Sequence, residues 1–231
     1  MLLLRNILFK YRNDPHTYII LYMIYLIGGS PRCGKTNVAK KLAMKTHIPW
    51  FPADYLTTVI FRYIPEVDRA ARFPLNKVHK EDSSNDFLYD NYSGDQIINF
   101  YDIQAKSVWE GLKAFIQYAV SDKQDFILEG YQITPELISL LDPEVRKDVK
   151  TVFLYKKDVA DIEEGIKKNT DPADWLLKKT KDDKTFGKVA KMVSMYGEKT
   201  ISEATKYKMS VFDMDGDFEK KVDDVVNYLI S

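Results

Sequence analysis

Short runs of consecutive apolar residues alternate along the chain with longer stretches in which apolar residues recur every three or four positions. Runs rich in β-branched and aromatic residues are typical of buried strands, and the longer spacing is typical of helices that bury one face. The runs predict five strands, at residues 23–27, 48–52, 125–129, 151–155 and 210–213. The spacing predicts helices at 35–45, 55–63, 95–120, from about 135, at 159–168, at 218–230, and a pair over 186–206 broken near Gly197.

This alternation of strands and helices predicts an α/β fold with a parallel sheet of about five strands, covered by helices on both faces. Such sheets bind ligands at the carboxyl ends of their strands. Two segments fall outside the alternation. Residues 65–94 are polar and predicted to be irregular, and residues 169–184 are predicted to be a solvated excursion.

The apolar run at residues 18–27 is about half as long as the roughly 20 residues that a membrane-spanning helix needs. No small-residue cleavage site follows it, so a signal peptide is not predicted either. Its β-branched residues favour a buried strand instead. We therefore expect one domain at residues 23–231, with residues 1–22 as an N-terminal extension or the product of an upstream start.

Composition adds limits on partners. The chain carries 34 basic and 34 acidic residues and has no net charge, so no overall field would attract nucleic acid or an anionic membrane. The only cysteine, Cys33, cannot form an internal disulfide, which favours a reducing cytoplasm. The three histidines are far apart and match no metal-ligand pattern. We expect a cytoplasmic monomer or homodimer whose anionic ligands are held by a local pocket.

One motif carries specific chemistry: residues 29–36 read GSPRCGKT and fit G-x-x-x-x-G-K-[ST] in full. An apolar strand precedes the motif and an amphipathic helix follows it, which is the setting that separates a phosphate-binding loop from a chance match. Lys35 is expected to neutralise the β- and γ-phosphates of ATP, and the Thr36 hydroxyl to ligate Mg²⁺. The residues predicted to bind the nucleotide are Gly29, Ser30, Pro31, Arg32, Cys33, Gly34, Lys35, Thr36 and Asn37.

Cys33 has two interpretations. It is a variable position at which only the backbone matters, or a thiol activated by the helix N-terminus and Lys35.

Four stretches, at residues 24–36, 52–54, 126–130 and 152–154, resemble in their order the small-molecule kinase branch of P-loop proteins. That branch includes adenylate and shikimate kinases, 2-phosphoglycerate kinase-like proteins and zeta-toxin-like kinases. The stretches span most of the chain after residue 23, and only the first is specific. The resemblance implies a three-layer α/β/α P-loop NTPase-like fold, an acceptor-binding region at about 55–94 and a small lid at about 169–184.

The resemblance also implies catalytic roles for Lys35, Asp54 and Glu129. Asp54 falls where such kinases carry a carboxylate that orients the acceptor hydroxyl or accepts its proton. The alternative is an N-cap for the helix predicted from Tyr55. Glu129 resembles the Walker B position and would hold the Mg²⁺ shell or the acceptor. The alternative is an acidic residue in a strand-end turn.

Arginines in the acceptor-binding region suggest an anionic acceptor, because guanidinium groups bind phosphate and carboxylate in pairs of hydrogen bonds. These arginines are Arg62, Arg69 and Arg72, and a solvated helix face paired with nearby acids is the alternative. The 169–184 segment departs from the kinase pattern because it contains lysines but no arginine. Either Lys167 and Lys168 or Arg32 substitutes, or the mechanism differs.

Together these features predict a Mg-ATP-dependent phosphotransferase acting on a small anionic molecule, of nucleoside, nucleotide or sugar-acid type. Two alternatives stay open: an NTP-binding switch without acceptor chemistry, and a zeta-toxin-like kinase of nucleotide sugars.

Overall fold

A computed structural model describes residues 9–10, 18–19, 22–171 and 174–231. The predicted extension, residues 1–22, lies outside the described residues except for Tyr22 and two short strands. These strands, β1 (Phe9–Lys10) and β2 (Tyr18–Ile19), pair antiparallel. In the part of the chain that is described, no helix is both long and apolar enough to cross a membrane.

The centre of the molecule is a five-stranded sheet in which every neighbouring pair is parallel. Its strands are β3 (Ile24–Gly29), β4 (Trp50–Pro52), β5 (Phe126–Glu129), β6 (Val149–Tyr155) and β7 (Ser210–Asp213). Their order across the sheet is β4-β5-β3-β6-β7. The central strand β3 is buried along its whole length because helices cover both faces. The five predicted strands and their parallel arrangement are confirmed.

Twelve helices are found among the described residues, most of them packed on one of the two sheet faces. They are α1 (Lys35–Thr46), α2 (Ala53–Tyr63), α3 (Glu66–Arg72), α4 (Pro74–Glu81), α5 (Asn85–Asn91), α6 (Gly94–Ser121), α7 (Pro135–Ser139), α8 (Pro143–Arg146), α9 (Val159–Lys167), α10 (Trp175–Lys178), α11 (Asp183–Lys206) and α12 (Phe218–Ile230). Helices α1 and α12 bury apolar residues against one face. Helix α6, with α2 and α7, covers the other. The arrangement is the predicted three-layer α/β/α fold.

The 65–94 segment is helical, so the predicted irregular structure was wrong. It contains α3, α4 and α5, each of seven or eight residues. Helix α4 buries Leu75 and Val78, and α5 buries Leu88 and Tyr89. Helix α3 buries no side chain, and α4 and α5 bury two large apolar residues each, which is too few for the helical spacing to be recognised in the sequence.

The predicted break near Gly197 was also wrong, because α11 runs without interruption from Asp183 to Lys206. A Cβ atom at Gly197 would lie 2.4 Å from the carbonyl oxygen of Lys156, which follows β6. The glycine therefore allows close packing of the helix against the end of the strand.

The 169–184 segment is only partly solvated. It contains α10, and Leu176 and Thr180 are buried. The fully buried Asn85 of α5 donates from Nδ2 to the Leu176 carbonyl at 3.2 Å and to the Thr180 hydroxyl at 3.0 Å. These bonds attach the segment to the helices of the 65–94 region.

Candidate active site

The loop between β3 and α1 leaves a row of backbone donors without partners. Arg32 and Gly34 have left-handed φ values of 63° and 90°, and α1 begins at the next residue, Lys35. Among the described residues, none accepts a hydrogen bond from the backbone N–H groups of residues 32–37. Free N–H groups at the start of a helix favour an anion, because the helix dipole adds positive charge there.

Two side chains of the loop contact its own backbone. The Lys35 ammonium, 9% exposed, donates to the Ser30 carbonyl at 2.6 Å. The Cys33 thiol is fully buried and donates to the same carbonyl at 2.8 Å. A thiol packed in the core is not accessible to reagents, so the structure favours Cys33 as a position at which only the backbone matters.

Thr36 and Glu129 meet where the two central strands end. Glu129 is the last residue of β5 and is the register partner of Ile27 in β3. The Thr36 hydroxyl donates to Glu129 Oε1 at 3.1 Å. Burial raises the pKa of Glu129, and the charge of Lys35 and the hydrogen bond from Thr36 partly oppose this rise.

The donor set at this point fits a magnesium ion. Mg²⁺ in phosphate-transfer sites takes one or two protein oxygens, with phosphate oxygens and waters completing its shell. Thr36 and Glu129 supply a hydroxyl and a carboxylate oxygen. The described residues contain no group of three or more His, Cys, Asp or Glu side chains that could hold a metal. An ion held here would therefore depend on phosphate for most of its ligands.

Asp54 lies in the first turn of α2, and the N-cap of that helix is Pro52. The N-cap interpretation of Asp54 was therefore wrong. Its Oδ1 accepts a hydrogen bond at 2.7 Å from Nε2 of the buried Gln132, which also donates to the Thr57 hydroxyl. Glu129 is the register partner of Pro52, so both carboxylates lie at the carboxyl edge of the sheet.

Two clefts open beside these carboxylates. The first, which we call the loop cleft, has a volume of about 480 Å³. The second, the α2 cleft, has a volume of about 330 Å³. The loop cleft is lined by Arg32, Gly34, Lys35, Thr36 and Asn37 together with residues of α9 and the loop before α12. The α2 cleft is lined by Asp54, Thr57, Thr58, Phe61, Arg62, Phe73, Asn76, Gln104 and Tyr131.

The predicted nucleotide-binding residues divide between the loop cleft and the layer beneath it. Five of them line the cleft, as given above. Ser30 and Cys33 are buried, and Gly29 ends β3. Pro31 is half-buried in the loop.

The three predicted arginines do not act together. Arg62 lines the α2 cleft, and no described residue pairs with its guanidinium. Arg69 donates to the carbonyls of Ile64 and Arg62, and Arg72 donates to the Ser107 carbonyl at 2.6 Å. Arg69 and Arg72 therefore bind backbone carbonyls, and of the three arginines only Arg62 lines the α2 cleft.

The sequence analysis did not identify three polar residues at the α2 cleft. Gln104 and Tyr131 line it, and Gln132 donates to Asp54. Gln104 of α6 donates from Nε2 to the Tyr131 hydroxyl at 2.9 Å. Burial, together with the charge of Asp54, raises the pKa of the Tyr131 phenol, so the phenol stays protonated and can donate. The one signal in the sequence was that Tyr131 and Gln132 follow the end of β5 after a single glycine, Gly130.

The 169–184 segment also reaches the loop. Arg32 Nη2 donates to Asp174 Oδ2 at 2.6 Å, and Asp174 accepts a further hydrogen bond from the Asn169 amide.

Comparison with known proteins supports the fold. The structure is similar to that of shikimate kinase from Bacteroides thetaiotaomicron, with a TM-score of 0.50 and 13% identity, over 90% of this chain and 99% of that one. The chain has the fold of the P-loop small-molecule kinases. The predicted resemblance to that group is thus confirmed at the level of the fold.

A sequence relative adds a second likeness. The chain is 28% identical over 138 residues to the mevalonate-3-phosphate 5-kinase of Thermoplasma acidophilum. The match covers 58% of this chain and 62% of the relative, which is less than two thirds of the relative's length. No protein-family model matches the chain.

Proposed function

We propose that this protein transfers the γ-phosphoryl group of ATP, with Mg²⁺, to a hydroxyl of a small anionic molecule. The observation that carries this proposal is the position of the carboxylates between two clefts. Glu129 contacts Thr36 beside the loop cleft, and Asp54 lines the α2 cleft. One cleft has the donors for a triphosphate, and the other has a carboxylate and a free guanidinium for an acceptor.

In the loop cleft, the triphosphate would accept hydrogen bonds from the N–H groups of residues 32–37. Lys35 would exchange the Ser30 carbonyl for oxygens of the β- and γ-phosphates. Thr36 and Glu129 would hold Mg²⁺, which when bound neutralises charge on those phosphates.

In the α2 cleft, Asp54 is placed to orient the acceptor. The acceptor oxygen forms a bond to the γ-phosphorus while the bond from that phosphorus to the β–γ bridging oxygen breaks, and ADP leaves with the electron pair. The hydroxyl proton passes to Asp54, whose carboxylate is held by Gln132. Phosphoryl transfer depends mainly on positioning and charge neutralisation, and these groups supply both.

The α2 cleft supports a small anionic acceptor. Arg62 is the one guanidinium that faces it among the described residues. A volume of about 330 Å³ lies near the lower end of the roughly 300–1,000 Å³ found for small-molecule sites, so it suits a small ligand. A phosphorylated hydroxy acid fits this room better than a nucleotide. The substrate named for the Thermoplasma relative, mevalonate 3-phosphate, belongs to that class.

The test is ADP release from Mg-ATP with a panel of acceptors: mevalonate 3-phosphate, mevalonate, shikimate, gluconate, AMP and a UDP-sugar. We expect acceptor-dependent release with a phosphorylated or carboxylated small alcohol, and its loss in Lys35→Ala. Lys45→Ala, an exposed position on the same helix, is the matched control and should retain activity.

Other outcomes would contradict the proposal. ADP release that no acceptor accelerates would indicate a hydrolase. Nucleotide binding without release would indicate a switch module. Activity confined to the UDP-sugar would favour the zeta-toxin-like alternative.

A further inference from the structure

We propose that Arg32, inside the phosphate-binding loop, supplies the guanidinium that contacts the γ-phosphate, and that Asp174 is a positioning residue that holds this guanidinium at the loop cleft. The inference rests on the proposed function, because it assigns a residue to the nucleotide end of the same site. It would also account for the arginine-free 169–184 segment, since the loop itself would supply the planar donor.

Apart from Lys35, the other cations that line the loop cleft are paired with carboxylates. Lys156 pairs with Asp161 at 2.5 Å, and Lys168 pairs with Glu164 one turn earlier in α9. Lys178, Lys179, Lys181 and Lys184 of the 169–184 segment are exposed and do not line the cleft. Of the described residues that line it, Arg32 is the one with a guanidinium.

The backbone of Arg32 is unusual for its residue type. Its φ of 63° lies in the left-handed region, which glycine and asparagine adopt more readily than arginine. A residue held in an unfavourable backbone conformation within a ligand-binding loop is a reason to look for a role of its side chain.

Asp174 holds only part of the guanidinium. Its carboxylate contacts Nη2 alone, so Nη1 and Nε have no protein partner among the described residues and can donate to phosphate. The Arg32 side chain is 23% exposed, whereas that of Asp174 is 2% exposed. The guanidinium therefore meets the cleft, and its anchor is buried behind it.

Asp174 is itself fixed in place. Its Oδ1 caps α10 by accepting from the Leu176 N–H at 2.8 Å, and Asn169 donates to Oδ2. Burial would raise the pKa of Asp174, but the hydrogen bond and charge of Arg32 outweigh it and the pKa is lowered, so the carboxylate is charged. A fixed, ionised carboxylate is suited to holding an arginine that must stay directed at a phosphate.

The experiment compares the affinities of a non-hydrolysable ATP analogue and of ADP, both with Mg²⁺ and without any acceptor. Arg32→Asn is the main variant because asparagine adopts the left-handed conformation of this position. We expect it to lower the affinity for the triphosphate analogue about 10- to 100-fold, which is the effect of losing a charge-assisted hydrogen bond. The affinity for ADP should fall less than about threefold, because ADP has no γ-phosphate for Arg32 to contact.

Asp174→Asn tests the positioning role, because asparagine still caps α10. It should lower the preference for triphosphate over diphosphate by about 3- to 10-fold. When it is combined with Arg32→Asn, it should lower this preference no further. Arg146→Asn, an exposed arginine just before the amino end of β6, is the matched control and should leave both affinities unchanged. If Arg32→Asn does not fold, Arg32→Lys should show the same loss of preference to a smaller degree.

An equal loss of affinity for both nucleotides, with lowered thermal stability, would mean that the ion pair of Arg32 and Asp174 is purely structural. It would overturn the inference even if the kinase activity stands. Failure of the wild-type protein to bind either nucleotide would overturn the proposed function and this inference together. A preserved preference for triphosphate in Arg32→Asn would overturn the inference alone.

Discussion

At the scale of single residues, the protonation of the buried Glu129 carboxylate bears on both the stability of the fold and the proposed binding of Mg²⁺. Burial raises its pKa above the ordinary 4.5, and Lys35 and Thr36 oppose the rise without cancelling it. In the pH range between 4.5 and the raised value, the folded protein binds more protons at this site than the unfolded chain does. The cost to folding of burying the charged Glu129 carboxylate is therefore relieved as the pH falls through its raised pKa, while the ionised form proposed to bind Mg²⁺ is lost over the same range.

The raised pKa of Glu129 predicts that the affinity for Mg-ATP depends on pH. We expect the affinity to fall as the pH is lowered toward 4.5, because a protonated Glu129 cannot ligate Mg²⁺. Glu129→Gln should bind Mg-ATP about 10-fold or more weakly at neutral pH and lose this part of the pH dependence. Calorimetric titration at a series of pH values measures both. An unchanged pH profile in Glu129→Gln would exclude Glu129 as the titrating group.

Arg62 gives a second prediction at this scale. Arg62→Ala should raise KM for the anionic acceptor about 10- to 100-fold and leave KM for ATP unchanged, because Arg62 lines the α2 cleft and not the loop cleft. Arg69→Ala is the matched comparison: it removes bonds to the carbonyls of Ile64 and Arg62 and should lower thermal stability instead. Steady-state kinetics and thermal unfolding separate the two. Equal kinetic effects would contradict the assignment of Arg62 alone to the acceptor.

At the scale of elements, the long helix α11 joins the nucleotide end of the molecule to its helical layer. It packs against α5, α6 and α9 and against strands β6 and β7 of the sheet. Gly197 allows the helix to approach the carbonyl of Lys156, whose side chain lines the loop cleft. The position of α11 therefore affects the wall of the loop cleft.

Two glycine substitutions should change stability in opposite directions. Gly197→Ala should lower the free energy of unfolding by about 1–3 kcal/mol, because overpacking against a backbone atom outweighs the gain in helix propensity. Gly165→Ala in α9 should raise it by about 0.5–1 kcal/mol, since a Cβ there meets nothing within 4 Å. Denaturant unfolding measures both. A stabilising Gly197→Ala would show that α11 can move away from β6.

At the scale of the whole molecule, the two clefts share one edge of the sheet. Parallel strands bring all their carboxyl ends to that edge, so the loop after β3, the end of β5 and the start of α2 meet there although they are far apart in the chain. A nucleotide bound as proposed would contact groups that are scattered in the unfolded chain, so its binding would stabilise the folded form.

Mg-ATP at about 100 times its Kd should therefore stabilise the protein by about 2.7 kcal/mol. For a chain of this length, that is a rise in Tm of roughly 5–10 °C. Lys35→Ala should remove most of the rise, and Lys45→Ala should keep it. Thermal unfolding with and without Mg-ATP is the measurement. A rise that Lys35→Ala retains would place the nucleotide elsewhere.

The sequence by itself determined the sheet and predicted the phosphate-binding loop. Residues 29–36 are contiguous, and each buried strand is a short apolar run, so both signals lie within a few neighbouring residues. The position of Glu129 at the end of a strand, and of Asp54 just after one, followed from the same local signals. The helices of 65–94 did not, because each buries too few residues to show a period.

Only the tertiary structure decided which polar side chains meet. It brought Gln132 to Asp54, directed Arg69 and Arg72 onto backbone carbonyls while Arg62 lines the α2 cleft, and placed Asp174 against Arg32, 142 residues earlier in the chain. These contacts depend on how helices pack across the sheet edge and on which backbone carbonyl each arginine can reach. Hydrophobic periodicity specifies which face of an element is buried, and it carries no information about which partner that face will find.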